Sequence, residues 1–245
     1  MCLLALFFRI VPDAPLVIGA NREEAYARVG EPPQSLPGPC RAVGGRDPTA
    51  GGTWLGVNEH GVLIAVTNRR KSSLPTQPRS RGLLVRELLA ARTAGAARDQ
   101  AIQELSSGRY AGCNLVCADA SSMHVLQGAD WLRVRPLPPG IHVLTNHDVN
   151  DDSDRRLGHA LWWLYQRPYD TAADCIAALK LLCAQTGNPD PPICLRGDLG
   201  GTVSSSIIAL RPPGKPSVYL HAQGPPDATP YQDYSHLLHE LSAAE

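Results

Sequence analysis

The chain has 245 residues, 43% of them apolar or aromatic, enough to fill one large core, and is read as a single domain over residues 1–245. Its 23 lysines and arginines balance 23 aspartates and glutamates, so no basic surplus draws phosphate backbones or an anionic membrane, and nucleic acid is not an expected partner. Seven cysteines without a repeated spacing argue against a disulfide framework or a Cys-x-x-Cys knuckle and for a reducing, cytoplasmic setting.

The apolar run Leu3–Phe8 follows no cationic segment and is too short to cross a bilayer, so it reads as a buried strand and no transmembrane segment is expected. With Leu16–Ala20 it predicts a hairpin that begins at residue 2. Residues 30–52, rich in glycine and proline, read as a surface excursion. Thr53–Val57 and Val62–Thr67 predict a second strand pair about the turn Asn58–Gly61. From Ser80 to Ser106 leucine and alanine recur at helical spacing with a break at Thr93–Gly95, which predicts two antiparallel helices.

Four more strands are predicted at Asn114–Ala118, Met123–Leu126, Trp131–Arg135 and His142–Thr145. Two helices follow, Asp154–Gln166 capped by Ser153 and one to Gln185 capped by Thr171. Thr202–Leu210 and Ser217–His221 predict a late hairpin, and Tyr231–Leu241 a closing helix. Sheet, helix pair, sheet, helix pair, sheet is the order of an α+β fold, a four-layer αββα sandwich.

Cys2 directly follows the initiator methionine, whose removal would leave a free α-amine on the same residue as a thiol. With a thiol titrating near pH ~8.5 and an α-amine near ~8, one residue then supplies both nucleophile and general base. Burial as a small hydrophobe is the competing explanation of Cys2. Ala20-Asn21-Arg22-Glu23-Glu24 ends an apolar strand in polar groups. Alternation places Asn21 and Glu23 on one side and Arg22 and Glu24 on the other, and either pair can face the thiol.

Gly51-Gly52-Thr53-Trp54-Leu55-Gly56 lacks the lysine of a phosphate loop. It reads as tight turns, with Trp54 as packing or as a pocket wall. Asn68 and Asn146 each follow a threonine at a strand end, where an amide can donate to an oxyanion or merely form a turn. The pairs His142/His147 and His236/His239 come without a zinc-spaced set of partners, so no metal site is expected.

Met1-Cys2-Leu3, the Asn21–Glu24 run, Gly44-Gly45-Arg46-Asp47, the Gly51–Gly56 run, Thr67-Asn68, Ser80-Arg81-Gly82 and Tyr110-Ala111-Gly112-Cys113-Asn114-Leu115 together resemble the NRDE family of transport and Golgi organisation protein 2-like proteins. The resemblance implies an N-terminal-nucleophile hydrolase-like fold, similar to cysteine amidases. It also implies attack of Cys2 on a small amide or ester, with Asn21, Arg22 and Glu23 orienting the terminus, and Asn68 and Asn146 as oxyanion donors. Trp54 and Asn114 are the candidate substrate contacts. Glu23 stands where the family has aspartate, and Val203 where it has arginine.

Hydrolysis of this kind requires no cofactor. The alternative that the resemblance implies is a non-enzymatic carrier of haem or of an acyl-lipid such as acyl-CoA, with His142, His147, His221 or a cysteine on iron. A third reading is a packing or interaction module on the same fold.

Overall fold

The computed structural model describes residues 2–212 and 214–242. In chain order these form strands β1 (Leu3–Val11), β2 (Ala14–Ala25), β3 (Glu31–Leu36), β4 (Ala42–Arg46), β5 (Leu55–Asn58) and β6 (Leu63–Asn68), then helices α1 (Arg81–Leu88) and α2 (Ala94–Ser106). Next come β7 (Cys113–Ala118), β8 (Met123–Gly128), β9 (Leu132–Pro136) and β10 (Gly140–Leu144), then α3 (Arg155–Tyr165) and α4 (Ala172–Cys183). β11 (Gly200–Leu210), β12 (Val218–Ala222), the short β13 (Gln232–Asp233) and α5 (Ser235–Ser242) close the order.

Contacts divide the chain into two compact units, one reaching to Val29 and resuming over Pro139–His236, the other holding Gly30–Pro138 and the C-terminal stretch from Leu237. The first unit is a six-stranded sheet in the order β10-β1-β2-β11-β12-β13. Leu3, Ala5, Phe7 and Val17 turn one face of it onto Leu157 and Leu164 of α3 and Leu179 and Leu182 of α4. The first six residues of β1 are all buried, which is why the sequence shows an unbroken apolar run there instead of alternation.

The second unit is a seven-stranded antiparallel meander, β3 through β9 in sequence order. Ile64, Val66, Leu115 and Cys117 pack one face of it against Leu84, Val85 and Leu88 of α1 and Ala97 and Ala101 of α2.

The helices begin where side-chain caps allow. Ser80 accepts from the Leu83 N–H and Thr93 from the Ala96 N–H. Thr171 closes a reciprocal capping box with Asp174. The Ser153 cap is corrected: Asp154 takes that role, accepting from the Arg156 and Leu157 N–H groups, and Ser153 instead donates to Asp151. A carboxylate is the better acceptor at the positive end of the helix dipole.

Residues 30–52 are also corrected, because they contribute β3 and β4 rather than a surface excursion. Pro32 and Pro33 fit since β3 is an edge strand, where an absent N–H costs no ladder bond. The Tyr231–Leu241 helix shortens to Ser235–Ser242, as Gln232 and Asp233 pair with β12 first.

The glycine-rich 51–56 stretch is spent on backbone packing. Thr53 N–H donates to the Gly82 carbonyl at 3.0 Å, and a Cβ on Gly52 would fall 2.1 Å from the Gly82 carbonyl carbon. Gly52→Ala is therefore expected to cost at least about 2 kcal/mol. Gly61→Ala, at a turn with φ of +71° and open space around it, should cost only about 1 kcal/mol. Urea unfolding of the two variants checks the order, and equal losses would contradict it.

Candidate active site

β1 and β2 pair antiparallel with Leu3 across from Asn21 and Leu4 across from Ala20. Leu3 and Asn21 therefore share the helical face of the sheet, and the alternation puts Cys2 and Arg22, one step further along, on the other face. By strand parity Arg22 and Glu24 share the face of Cys2 and Asn21 and Glu23 the face of the helices, although the charge of Glu23 acts on the thiol more strongly than that of Arg22.

Cys2 is partly exposed. The Glu23 backbone N–H donates to its sulfur. Burial of the thiol pushes its pKa up and the Glu23 charge adds to this, while the Glu23 N–H and the Arg22 guanidinium pull it down; the net direction is up. Asn146 follows the end of β10, the strand that pairs with β1 on its other side, and so sits at the Cys2 end of the same sheet.

Arg22 is buried, donates from Nη1 to the Arg28 carbonyl at 3.3 Å, and lies 4.0 Å from a Glu24 carboxylate oxygen. Ser204 of β11 is its ladder partner. The strand shifts register between Thr202 and Ser204, so Val203, where the family has arginine, is the extra residue of a β-bulge.

On the helical side, Asn21 is fully buried and its amide nitrogen donates to the Cys183 carbonyl at 2.9 Å and the Ile193 carbonyl at 3.2 Å. Its side chain thus ties the sheet to the end of α4 and the segment beyond. Glu23 accepts a two-pronged grip from Arg156 at the start of α3, including Nη1 to Oε2 at 3.1 Å. Arg156 also donates to the carbonyls of Pro192 and Ile193. Burial pushes the Glu23 carboxyl above its ordinary pKa, against the opposing charge and hydrogen bonds of Arg156.

No motif in the sequence points to Arg156. A signal existed: Arg155 and Arg156 occupy a first helical turn that holds no acidic residue, where the helix dipole disfavours cations unless a carboxylate answers them.

Trp54, Asn68 and Asn114 belong to the seven-stranded unit. Trp54 is packed against the helix-side core of that unit, its ring over the backbone of Gly45, so packing accounts for it. Asn68 is exposed at the end of β6, paired with Cys113 and on the helical face with Val66. Asn114 is fully buried on the opposite face, donating to Thr67 Oγ1 at 3.3 Å and accepting from Arg69 at 3.3 Å.

The family model described as Transport and Golgi organisation 2 matches residues 1–186. The chain belongs to this family. It is 30% identical over 131 residues to the Transport and Golgi organization protein 2 homolog of Homo sapiens, and 31% identical over 133 residues to that of Bos taurus. Each alignment covers 50% of this chain and 46% of the relative, so the chain spans about half the length of the curated relatives it matches.

Among solved structures it is similar to a Caenorhabditis elegans N-acylethanolamine-hydrolyzing acid amidase ortholog, with a TM-score of 0.59, 15% identity, and coverage of 87% of this chain and 94% of the other. Penicillin V acylase from Agrobacterium tumefaciens matches with a TM-score of 0.55 and 15% identity over 100% of this chain and 89% of the other. The α+β fold of the N-terminal-nucleophile hydrolase type that the sequence implies is thus the fold of this family member. Among the described residues no helix is long and apolar enough to cross a membrane.

The Glu23–Arg156 pair carries a stability consequence. Arg156→Met leaves a buried carboxylate without its cation and is expected to cost about 3–5 kcal/mol at neutral pH. Glu23 already binds its proton more tightly folded than unfolded, and losing Arg156 strengthens this. The deficit should therefore shrink as pH falls toward the unfolded carboxyl value of ~4.3 and grow as pH rises through the folded one. Urea unfolding at about pH 5 and about pH 7.5 reads this directly; a deficit equal at both would contradict it.

Proposed function

We propose that this protein is a cysteine amidohydrolase of the N-terminal-nucleophile type, acting on a small amide or ester once Met1 has been removed. The observation that carries the reading is the Cys2 corner. A thiol stands immediately before β1, an interior strand flanked by β10 and β2, where the Glu23 amide and the Arg22 charge favour its anion, while burial and the Glu23 charge outweigh them and keep it protonated until a base acts. The two solved structures of like fold are named as an amidase and an acylase, which supports acyl transfer as the reaction class.

In this scheme the freed α-amine of Cys2 takes the thiol proton, and the sulfur attacks the substrate carbonyl carbon. The carbonyl oxygen becomes an oxyanion to which the Asn146 amide donates. The C–N or C–O bond then breaks as the ammonium returns its proton to the leaving group. Water, deprotonated by the same amine, hydrolyses the thioester to release the acid and restore the thiol. Glu23, clamped by Arg156, fixes the backbone N–H that faces the sulfur. In the proposal it acts as a positioning residue, as does Asn21.

Of the three histidines named for haem, His147 is exposed and the other two are buried. Both ring nitrogens of buried His221 are engaged, Nδ1 with Ser206 at 2.9 Å and Nε2 with Gln223 at 2.8 Å, and the buried His142 Nδ1 is bonded to Asn150 at 3.0 Å.

The test is hydrolysis of a panel of small N-acyl amides and thioesters by protein whose N-terminus is shown by intact mass to be Cys2. Cys2→Ala should abolish turnover, and Asn146→Ala should lower kcat about 10²–10³-fold with a smaller effect on KM. Turnover by Cys2→Ala equal to the unsubstituted protein would overturn the assignment.

A further inference from the structure

The turn between β5 and β6 holds a group of side chains that the proposed hydrolysis does not use. Asn58 accepts from the His60 and Val62 N–H groups through Oδ1, at 3.0 and 2.9 Å, and donates through Nδ2 to the Leu89 and Ala91 carbonyls at 2.8 and 2.7 Å. All four bonds are made by one fully satisfied amide, so the turn is pinned to the end of α1. Gly61 completes it with a φ of +71°.

The next two side chains, Glu59 and His60, are thereby presented in a fixed direction. Across from them, the segment before β4 is tied to the same turn. Glu59 N–H donates to the Arg41 carbonyl at 2.9 Å, and Arg41 N–H donates to Glu59 Oε1 at 3.2 Å. Cys40 then sets its sulfur 2.9 Å from Glu59 Oε1.

We propose that Cys40, Glu59 and His60 form a binding site for a thiophilic divalent cation of the zinc class. A sulfur, a carboxylate oxygen and an imidazole nitrogen lie within 4.8 Å of one another here. Around tetrahedral zinc, with bonds of ~2.0–2.3 Å, such donors stand roughly 3.3–3.8 Å apart, so a shift of about 1 Å closes the set. The His60 side chain is exposed and has room to make that shift. Three ligands leave one position for water, and the soft thiolate and borderline imidazole beside the one hard carboxylate select zinc-like ions over magnesium or calcium.

The outer contacts are those of a held ligand set. Arg41 Nε donates to Glu59 Oε2 at 2.7 Å, leaving Oε1 turned toward Cys40, and the Arg41 Nη atoms are anchored on the carbonyls of Glu240 and Leu241. Without metal, the Cys40 thiol is pushed up to about 11 by burial and by its hydrogen bond to Glu59. The same bond, with those from Arg41, holds Glu59 down at about 2. On metal binding the Cys40 sulfur coordinates as thiolate and its proton passes to solvent.

The site is tested with cobalt(II) as a spectroscopic probe and zinc(II) as competitor, on full-length protein purified without a polyhistidine tag. Cobalt should bind at one equivalent, giving a thiolate-to-metal charge-transfer band and the strong visible bands of a tetrahedral site, both erased by zinc. Cys40→Ser should abolish the charge-transfer band, and His60→Gln, at an exposed position that does not threaten the fold, should weaken binding at least about tenfold. Cys2→Ala should leave the spectrum intact. Absence of the band, its survival in Cys40→Ser, or its loss in Cys2→Ala would each overturn the proposal.

Discussion

The register of β1 against β2 is the constraint on which the rest of the Cys2 corner depends. With Leu3 opposite Asn21, the even-numbered residues of β1 up to Phe8 share a face with the even-numbered residues of β2 from Leu16 on, before the register shifts at the hairpin end. A slip of one residue would turn the Asn21 side chain to the thiol's face and drive Arg22 into the helices. Two long-range polar anchors forbid the slip. Asn21 is fastened to carbonyls at positions 183 and 193, and Glu23 to Arg156. Both anchors work only while these residues face α3 and α4.

This division of labour gives each residue of the Asn21–Glu24 run a distinct physical task. Asn21 and Glu23 hold the sheet to its helices, and Arg22 carries positive charge on the thiol side. The aspartate that Glu23 replaces has a shorter side chain, whereas here the added methylene is matched to the reach of Arg156 from the first turn of α3. The glycine-rich signatures perform a similar structural duty in the seven-stranded unit. The 51–56 run packs backbone to backbone on Gly82, and Arg81 reaches the Gly112 carbonyl at 2.8 Å. Motifs distant in sequence therefore lock one another.

What could be read from the sequence were features whose cause is local. Thr171 caps its helix because a hydroxyl needs only the next turn to bond, and β1 is legible because six consecutive buried residues must be apolar. Features assembled across distance were not legible. Arg156 and Glu23 are separated by 133 positions, and Cys40 reaches Glu59 across 19, so no spacing rule links them. Strands β3 and β4 were hidden because an edge position tolerates proline and tight packing demands glycine, which together imitate a loop. At Asn68 a single step of parity sets the face: Thr67 and Asn114 share one face of the sheet and Asn68 the other.

The central claim is that Cys2 becomes a competent nucleophile only when its own α-amine is free, since burial otherwise holds the thiol protonated. The direct measurement is the rate of Cys2 alkylation by limiting iodoacetamide against pH, located by peptide mass spectrometry, for protein with and without Met1. The account requires Met1-free protein to react several-fold faster near neutrality, with an apparent thiol pKa below the free-cysteine value of ~8.5, while the Met1-bearing form reacts appreciably only above it. Identical profiles for the two forms, both rising only in alkali, would contradict it.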